Sequence, residues 1–149
     1  MKWSLEEINV MKSCQEVMTK NPATCEPQSF VTDAAKLMDS EGVGAIPVCE
    51  NGKLEGILTD RDIAVRVVAG GRDPRETRIA DVMTRDPDCV KADEPIDRAL
   101  EVMESRQVRR IPVIDAGGKL VGIIAQADIA TRLGDDHATG EVVEAISKE

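Results

Sequence analysis

The period of the apolar positions changes several times along the chain, and then the same changes recur. Val31, Ala34, Ala35 and Met38 fall at helical spacing, which predicts an amphipathic helix. A compact apolar stretch follows, "GAIPVCE" (Gly44 to Glu50), which reads as a strand. "NGK" interrupts it, and "LEGIL" returns. Asn-Gly between two apolar runs is a hairpin signal, because both turn residues tolerate positive φ. Ile63, Ala64, Val67 and Val68 then share a predicted second helical face, and Gly70-Gly71 stops that helix. With a short extended segment at Ala23 to Glu26, the unit reads β-α-β-β-α.

The second half writes this unit again. "VMTKNPATC" (Val17 to Cys25) aligns with "VMTRDPDCV" (Val82 to Val90) at an offset of 65. The offset also pairs Ala34 with Ala99, Met38 with Met103 and "IPV" (Ile46 to Val48) with "IPV" (Ile111 to Val113). One extra residue enters the second turn, "DAGGKL" against "ENGKL", and the offset becomes 66. A slip in a turn is where insertions are tolerated. Ile96, Ala99, Leu100 and Met103 predict the second copy's first helix, with Asp93 and Pro95 at its start, and Gly134 stops its last helix. The expected organisation is a helical segment over 1–12 (centred on Leu5 to Met11), repeats over 13–70 and 80–134, a charged linker over 71–79, and a polar tail over 135–149 with a last turn at Glu141 to Ile146. Each unit carries about three strands and two helices, too little to be stable alone, so the α+β repeats are expected to bury faces against each other.

Composition narrows the chemistry. Trp3 and Phe30 are the only aromatic residues in 149, so the core must be aliphatic and a planar ligand would lie against aliphatic groups. The formal net charge is −9 with no basic stripe, which argues against nucleic acid as a partner. Arg109-Arg110 is the one concentrated basic pair. Cys14, Cys25, Cys49 and Cys89 have no CxxC spacing, and the single histidine, His137, has no Cys or His near it, so no metal site is expected. Reduced thiols in a cytoplasmic protein are the simple reading, although spacing leaves a disulfide between distant cysteines open. No stretch is long and apolar enough to span a membrane, and the N-terminus does not resemble a signal peptide.

The candidate chemistry sits in "GILTDRDI" (Gly56 to Ile63), whose copy is "GIIAQADI" (Gly122 to Ile129). This is a strand-to-helix corner, where free N–H groups favour an anion. Thr59 would be the N-cap, with a hydroxyl able to donate to phosphate, and the Asp62 carboxylate could accept from two ribose hydroxyls. Gly56 would let backbone approach closely. Thr-x-x-Asp is equally a capping box that starts a helix, and the two roles are compatible.

The tandem units, "VMT…P", the Ile-Pro-Val strands and "NGKLEGILTDRDI", followed by "QVRRIPVID", resemble a pair of cystathionine-β-synthase (CBS) domains, a Bateman module, over roughly Cys14 to Leu133. The layout is similar to small stand-alone bacterial members of the hypoxic-response type. The resemblance implies two units packed by pseudo-twofold symmetry and clefts that bind AMP, ADP or ATP, and in some members NAD or S-adenosylmethionine. It also implies assembly as a homodimer and regulation of a protein partner in trans, with no required cofactor. It gives Thr59 the phosphate role and Asp62 the ribose role, and lines a base pocket with Thr24, Ala45, Ile46 and Pro47. Arg109 or Arg110 would reach phosphates across the pseudo-twofold axis. A weaker second site would comprise Cys89, Ile111, Pro112 and Asp128, because Ala125 has no hydroxyl. The expected function is a nucleotide-sensing module, with a ligand-free interaction dimer as the alternative. No Ser-His, Cys-His or Walker constellation suggests an enzyme.

Overall fold

The computed structural model describes residues 12–133. The expected helix at Leu5 to Met11, the stop at Gly134, His137 and the last turn at Glu141 to Ile146 lie outside the described residues. The elements in chain order are α1 (Cys14–Val17), β1 (Thr19–Lys20), α2 (Val31–Glu41), β2 (Ala45–Glu50), β3 (Lys53–Thr59), α3 (Asp60–Asp62, continued by a π-helical turn at Ile63–Val68), a 3₁₀ turn (Ile79–Asp81), β4 (Thr84–Arg85), β5 (Val90–Lys91), α4 (Ile96–Arg106), β6 (Arg110–Ile114), β7 (Leu120–Ala125) and α5 (Gln126–Leu133).

Local chemistry accounts for most boundaries. Asn51 and Gly52 adopt φ of 52° and 80°, the left-handed pair that a tight hairpin needs between β2 and β3. α2 ends at Gly42, φ 66°, and α4 ends at Gln107, φ 52°. α4 begins directly after Pro95, whose missing N–H costs nothing there. In the π-helical turn the expected apolar face is only partly realised. Val67 is buried and Ile63 half-buried, but Ala64 is exposed and Val68 is 72% exposed. The cause is the wider turn: Ala69 N–H donates to Ala64 O five residues back, so positions spaced for an α-helix no longer align.

The chain forms two compact units, but these are not the two sequence repeats. One comprises Pro22–Pro87, and the other joins Met1–Asn21 to Asp88–Glu149. The segment that leads into each repeat docks on the other repeat. β4, from the start of the second repeat, pairs with β3 (Gly56 opposite Arg85, Ile57 opposite Thr84). β1, from the start of the first, pairs with β7 (Thr19 opposite Ile123, Lys20 opposite Gly122). The sheets are therefore β2-β3-β4, extended by a parallel bridge from Cys25 to Val48, and β5-β6-β7-β1.

The backbone bonds of this exchange repeat at the same offset of 65. Val31 N–H donates to Thr77 O and Ile79 N–H to Ser29 O in one unit; Ile96 N–H donates to Lys12 O and Cys14 N–H to Glu94 O in the other. The first turn of each long helix thus has an N–H satisfied by the docked segment. Expected as a linker, residues 71–79 are bonded structure, with the Thr77 hydroxyl donating to Asp73 O at 2.7 Å. The cores follow the same division. Val82, Met83 and Ile79 join Val31, Ile46, Leu58 and Val67, while Cys14, Val17 and Met18 join Ile96, Ile111, Ile124 and Ile129.

The exchange predicts how fragments behave. A fragment spanning 22–87 retains Ile79, Val82, Met83 and β4 and should give a dispersed amide NMR spectrum. A fragment spanning 13–70, the repeat as written in sequence, lacks them and should stay unfolded. Cooperative folding of 13–70 would show the docked segment to be dispensable.

Candidate functional site

The corner begins with the glycine. A Cβ on Gly56 would lie 2.7 Å from both Met83 Sδ and Thr84 O, and one on Gly122 would meet Met18 Sδ and lie 2.8 Å from Thr19 O. Such contacts are too short for real atoms. What approaches Gly56 so closely is therefore the docked segment β4, rather than a ligand. β3 is thin at this point because another strand and a methionine cross it.

Three residues on, Thr59 caps α3. Its Oγ1 accepts from Asp62 N–H at 3.0 Å, and Asp62 Oδ2 accepts from Thr59 N–H at 3.0 Å, a reciprocal capping box. Asp62 is 8% exposed, an unusual place for a carboxylate that needs partners to be stable. Its other oxygen, Oδ1, lies 3.5 Å from Thr84 Oγ1 and 3.9 Å from Arg66 Nε. The Arg66 guanidinium in turn donates to Val82 O and Met83 O at 2.9 and 3.1 Å. Asp62 thus ties the cap of α3 to the docked segment, and among the described residues its Oδ1 has a long contact and a loose ion pair.

The remaining first-site residues flank this corner within the same compact unit. Ala45, half-buried, stands opposite Thr59 in the β2–β3 ladder. Gly44 O accepts from Asp60 N–H, so by strand alternation the backbone polar groups of Ala45 and Pro47 point away from β3, to the outer edge of β2. There Pro47 O accepts from Cys25 N–H at 3.1 Å, and Thr24, exposed, precedes that bridge. The Ile46 side chain is fully buried in the aliphatic core, where it packs.

The second corner repeats the frame without the hydroxyl. Ala125 N–H donates to Asp128 Oδ2 at 2.8 Å, half of a capping box. Gln126 N–H donates to Arg109 O at 3.0 Å, and Arg110 stands opposite Ala125. Arg109 is exposed and Arg110 half-buried, and among the described residues neither guanidinium forms an ion pair. Ile111 is fully buried in the core, Pro112 is buried, and Cys89 and Asp128 are half-buried. The two arginines therefore belong to the compact unit of Asp128, and Thr24, Ala45, Pro47, Thr59 and Asp62 to the other. Sequence reasoning missed Arg66 and Thr84. The signal for Arg66 was its place four residues after Asp62, a helical ion-pair spacing.

The thiols are unsuited to nucleophilic work at neutral pH. Burial, with added repulsion from Glu94, Asp97 and Asp93, pushes Cys14 up to about 12. Burial, then Asp33 and Cys49, pushes Cys25 up to about 11. Cys49 and Cys89 are raised in the same way, by burial first. Among the described residues no cluster of three His, Cys, Asp or Glu could hold a metal ion, and no helix is long and apolar enough to cross a membrane.

Comparisons with known proteins identify the repeated unit. The CBS domain family model matches residues 14–69 and 79–135. CBS domain-containing protein YhcV of Bacillus subtilis is 38% identical over 139 residues, 93% of this chain and 98% of that protein. Hypoxic response protein 1 of Mycobacterium tuberculosis is 36% identical over 137 residues, 91% of this chain and 94% of its own. The crystal structure of that protein, with two coordinated zinc ions, superposes with a TM-score of 0.75, covering 80% of this chain and 98% of that one. The CBS domain pair of protein MJ0100, in complex with 5′-methylthioadenosine and S-adenosyl-L-methionine, superposes with a TM-score of 0.72 at 28% identity, covering 83% of this chain and 96% of that one.

Two outcomes follow from the geometry. Thr59→Ala removes the capping hydroxyl and should destabilise by about 1 kcal/mol, whereas Ala125→Thr completes the second box and should stabilise by up to about 1 kcal/mol. Urea-unfolding midpoints check both, and the two shifts must have opposite signs. The raised Cys14 thiol favours the neutral form in the folded state. Its contribution is intact below the unfolded value near 9 and is lost as pH rises towards about 12. Stability should therefore fall across that alkaline window, and Cys14→Val should flatten the slope.

Proposed function

Because the chain belongs to the CBS-domain family, we propose that it is a regulatory module that binds adenosine nucleotides, AMP, ADP, ATP or NAD, chiefly at the Thr59–Asp62 corner. The observation that carries this reading is the state of Asp62. One carboxylate oxygen is committed to the cap, and the other holds only a hydroxyl at 3.5 Å and a guanidinium at 3.9 Å. Ribose hydroxyls can replace those weak contacts with shorter charge-assisted bonds at little cost. The Thr59 hydroxyl accepts from Asp62 N–H, which leaves its own proton available for a phosphate oxygen. The outward backbone edge at Ala45 offers a donor and an acceptor to a base, next to Pro47, whose carbonyl already accepts from Cys25 N–H, and Thr24. Among the described residues Arg109 and Arg110, in the other compact unit, form no ion pair. The relative MJ0100, bound to two adenosine derivatives, supports the ligand class.

The corner with Asp128, Cys89, Ile111 and Pro112 is the poorer site, since Ala125 offers no hydroxyl. The module acts without catalysis, through a protein partner that responds to its bound state. Such a response requires the ligand to bind two states unequally. Val65 and Val68, 51% and 72% exposed, give an apolar face that a homodimer would cover.

Calorimetric titration with AMP, ADP, ATP, NAD and S-adenosylmethionine tests the reading. At least one should bind, and Thr59→Val should weaken a phosphate-bearing ligand several-fold while Ala125→Val leaves the main site unchanged. Absence of binding by all five would overturn the sensor reading and leave a ligand-free interaction dimer, which sedimentation would detect.

A further inference from the structure

Asp60 opens α3 with a charge that the second copy does not keep. It is exposed, and among the described residues it forms no ion pair. Its carboxylate is nonetheless fixed. Asp60 N–H donates to Gly44 O at 2.9 Å, and Oδ1 accepts from Arg61 N–H at 2.8 Å. Gly44 lies beside it: a Cβ there would lie 2.8 Å from Asp60 Oδ2 and 3.2 Å from Cγ, a contact that the exposed side chain could relieve by rotating. Gly44 has no positive φ, so backbone conformation does not demand a glycine.

The second copy changes both members of this pair. Arg109 stands for Gly44 and Gln126 for Asp60, while the backbone bond between them persists. The fold does not require the carboxylate, because a neutral amide takes its place in the second copy with the backbone bond intact. The conserved part is architectural, and the varied part is the sign of the charge beside Ala45 in one copy and beside Arg110 in the other.

We propose that Asp60 is a specificity-determining residue of the Thr59–Asp62 corner, which disfavours each added phosphate charge and so favours AMP over ADP and ATP there. The inference rests on the adenosine reading above and narrows it. The Asp62 carboxylate is offset by Arg66 and shielded by burial, whereas that of Asp60 is exposed, directly follows Thr59, and forms no ion pair among the described residues. At ~6 Å in water, one carboxylate weakens a ligand about threefold per unit of like charge.

Calorimetry on the full chain with adenosine, AMP and ATP, at fixed ionic strength and without magnesium, tests it. Asp60→Asn keeps an oxygen for Arg61 N–H. It should leave adenosine within about twofold, tighten AMP about tenfold, and tighten ATP at least as much. Asp60→Glu retains the charge and should keep the wild-type ratio of ATP to adenosine affinity. An equal shift for all three ligands, or no shift, overturns the role of Asp60 while leaving adenosine binding in place. Failure of all three to bind either protein removes the adenosine reading itself, and this inference with it.

Discussion

Two backbones cross at Gly56, and again at Gly122, at a distance that excludes any side chain. The strand that passes there belongs to the start of the other repeat, and its methionine sulfur fills the notch. Much else follows from this close approach. Because β4 can lie on β3, Val82 and Met83 complete an aliphatic core that the first repeat cannot close alone. Thr84 and the carbonyls of Val82 and Met83 then reach Asp62 and Arg66, the residues that form the corner. A substitution at the glycine would act on the corner without touching it.

This dependence gives the corner a physical route to the rest of its compact unit. Asp62 takes part in the cap of α3 and in the contact with β4 with the same carboxylate. A ligand that draws on Oδ1 competes with Thr84 and Arg66, and so bears on the docked segment as well as on the helix. The π-helical turn that follows is a low-cost place for adjustment, since its wide hydrogen-bonding pattern is already a departure from the regular helix. Two states of the 79–85 segment, bound unequally by a ligand, are what a sensing role would require.

Much of the architecture was legible in the sequence because local chemistry dictates it. The Asn51-Gly52 hairpin, the helix from Val31 and its counterpart from Ile96, and the capping pair Thr59–Asp62 each need only nearby residues to be read. The partner exchange was not legible, for a reason inherent in duplication. Met18 and Met83 occupy equivalent places in near-identical segments, so either could dock on either repeat with the same pattern of apolar positions. The one signal was Gly56 and Gly122, twice kept inside a strand, where glycine marks a close approach; the sequence could say that something approaches, not what. The face expected of Val68 failed because helical spacing presumes 3.6 residues per turn, and the π-helical turn does not obey it. The expected ligand role of Asp62 competes with structural partners on β4 that sequence distance hid.

Native-state hydrogen exchange tests most directly whether the corner depends on the docked segment. The amides of Thr59 and Asp62, which the capping box holds, and that of Thr84, opposite Ile57 on β4, are the probes. If the docked segment supports the corner, all three open with one free energy, and Gly56→Ala lowers it equally for all. Free exchange at Thr84 beside undiminished protection of Thr59 and Asp62 would contradict that dependence.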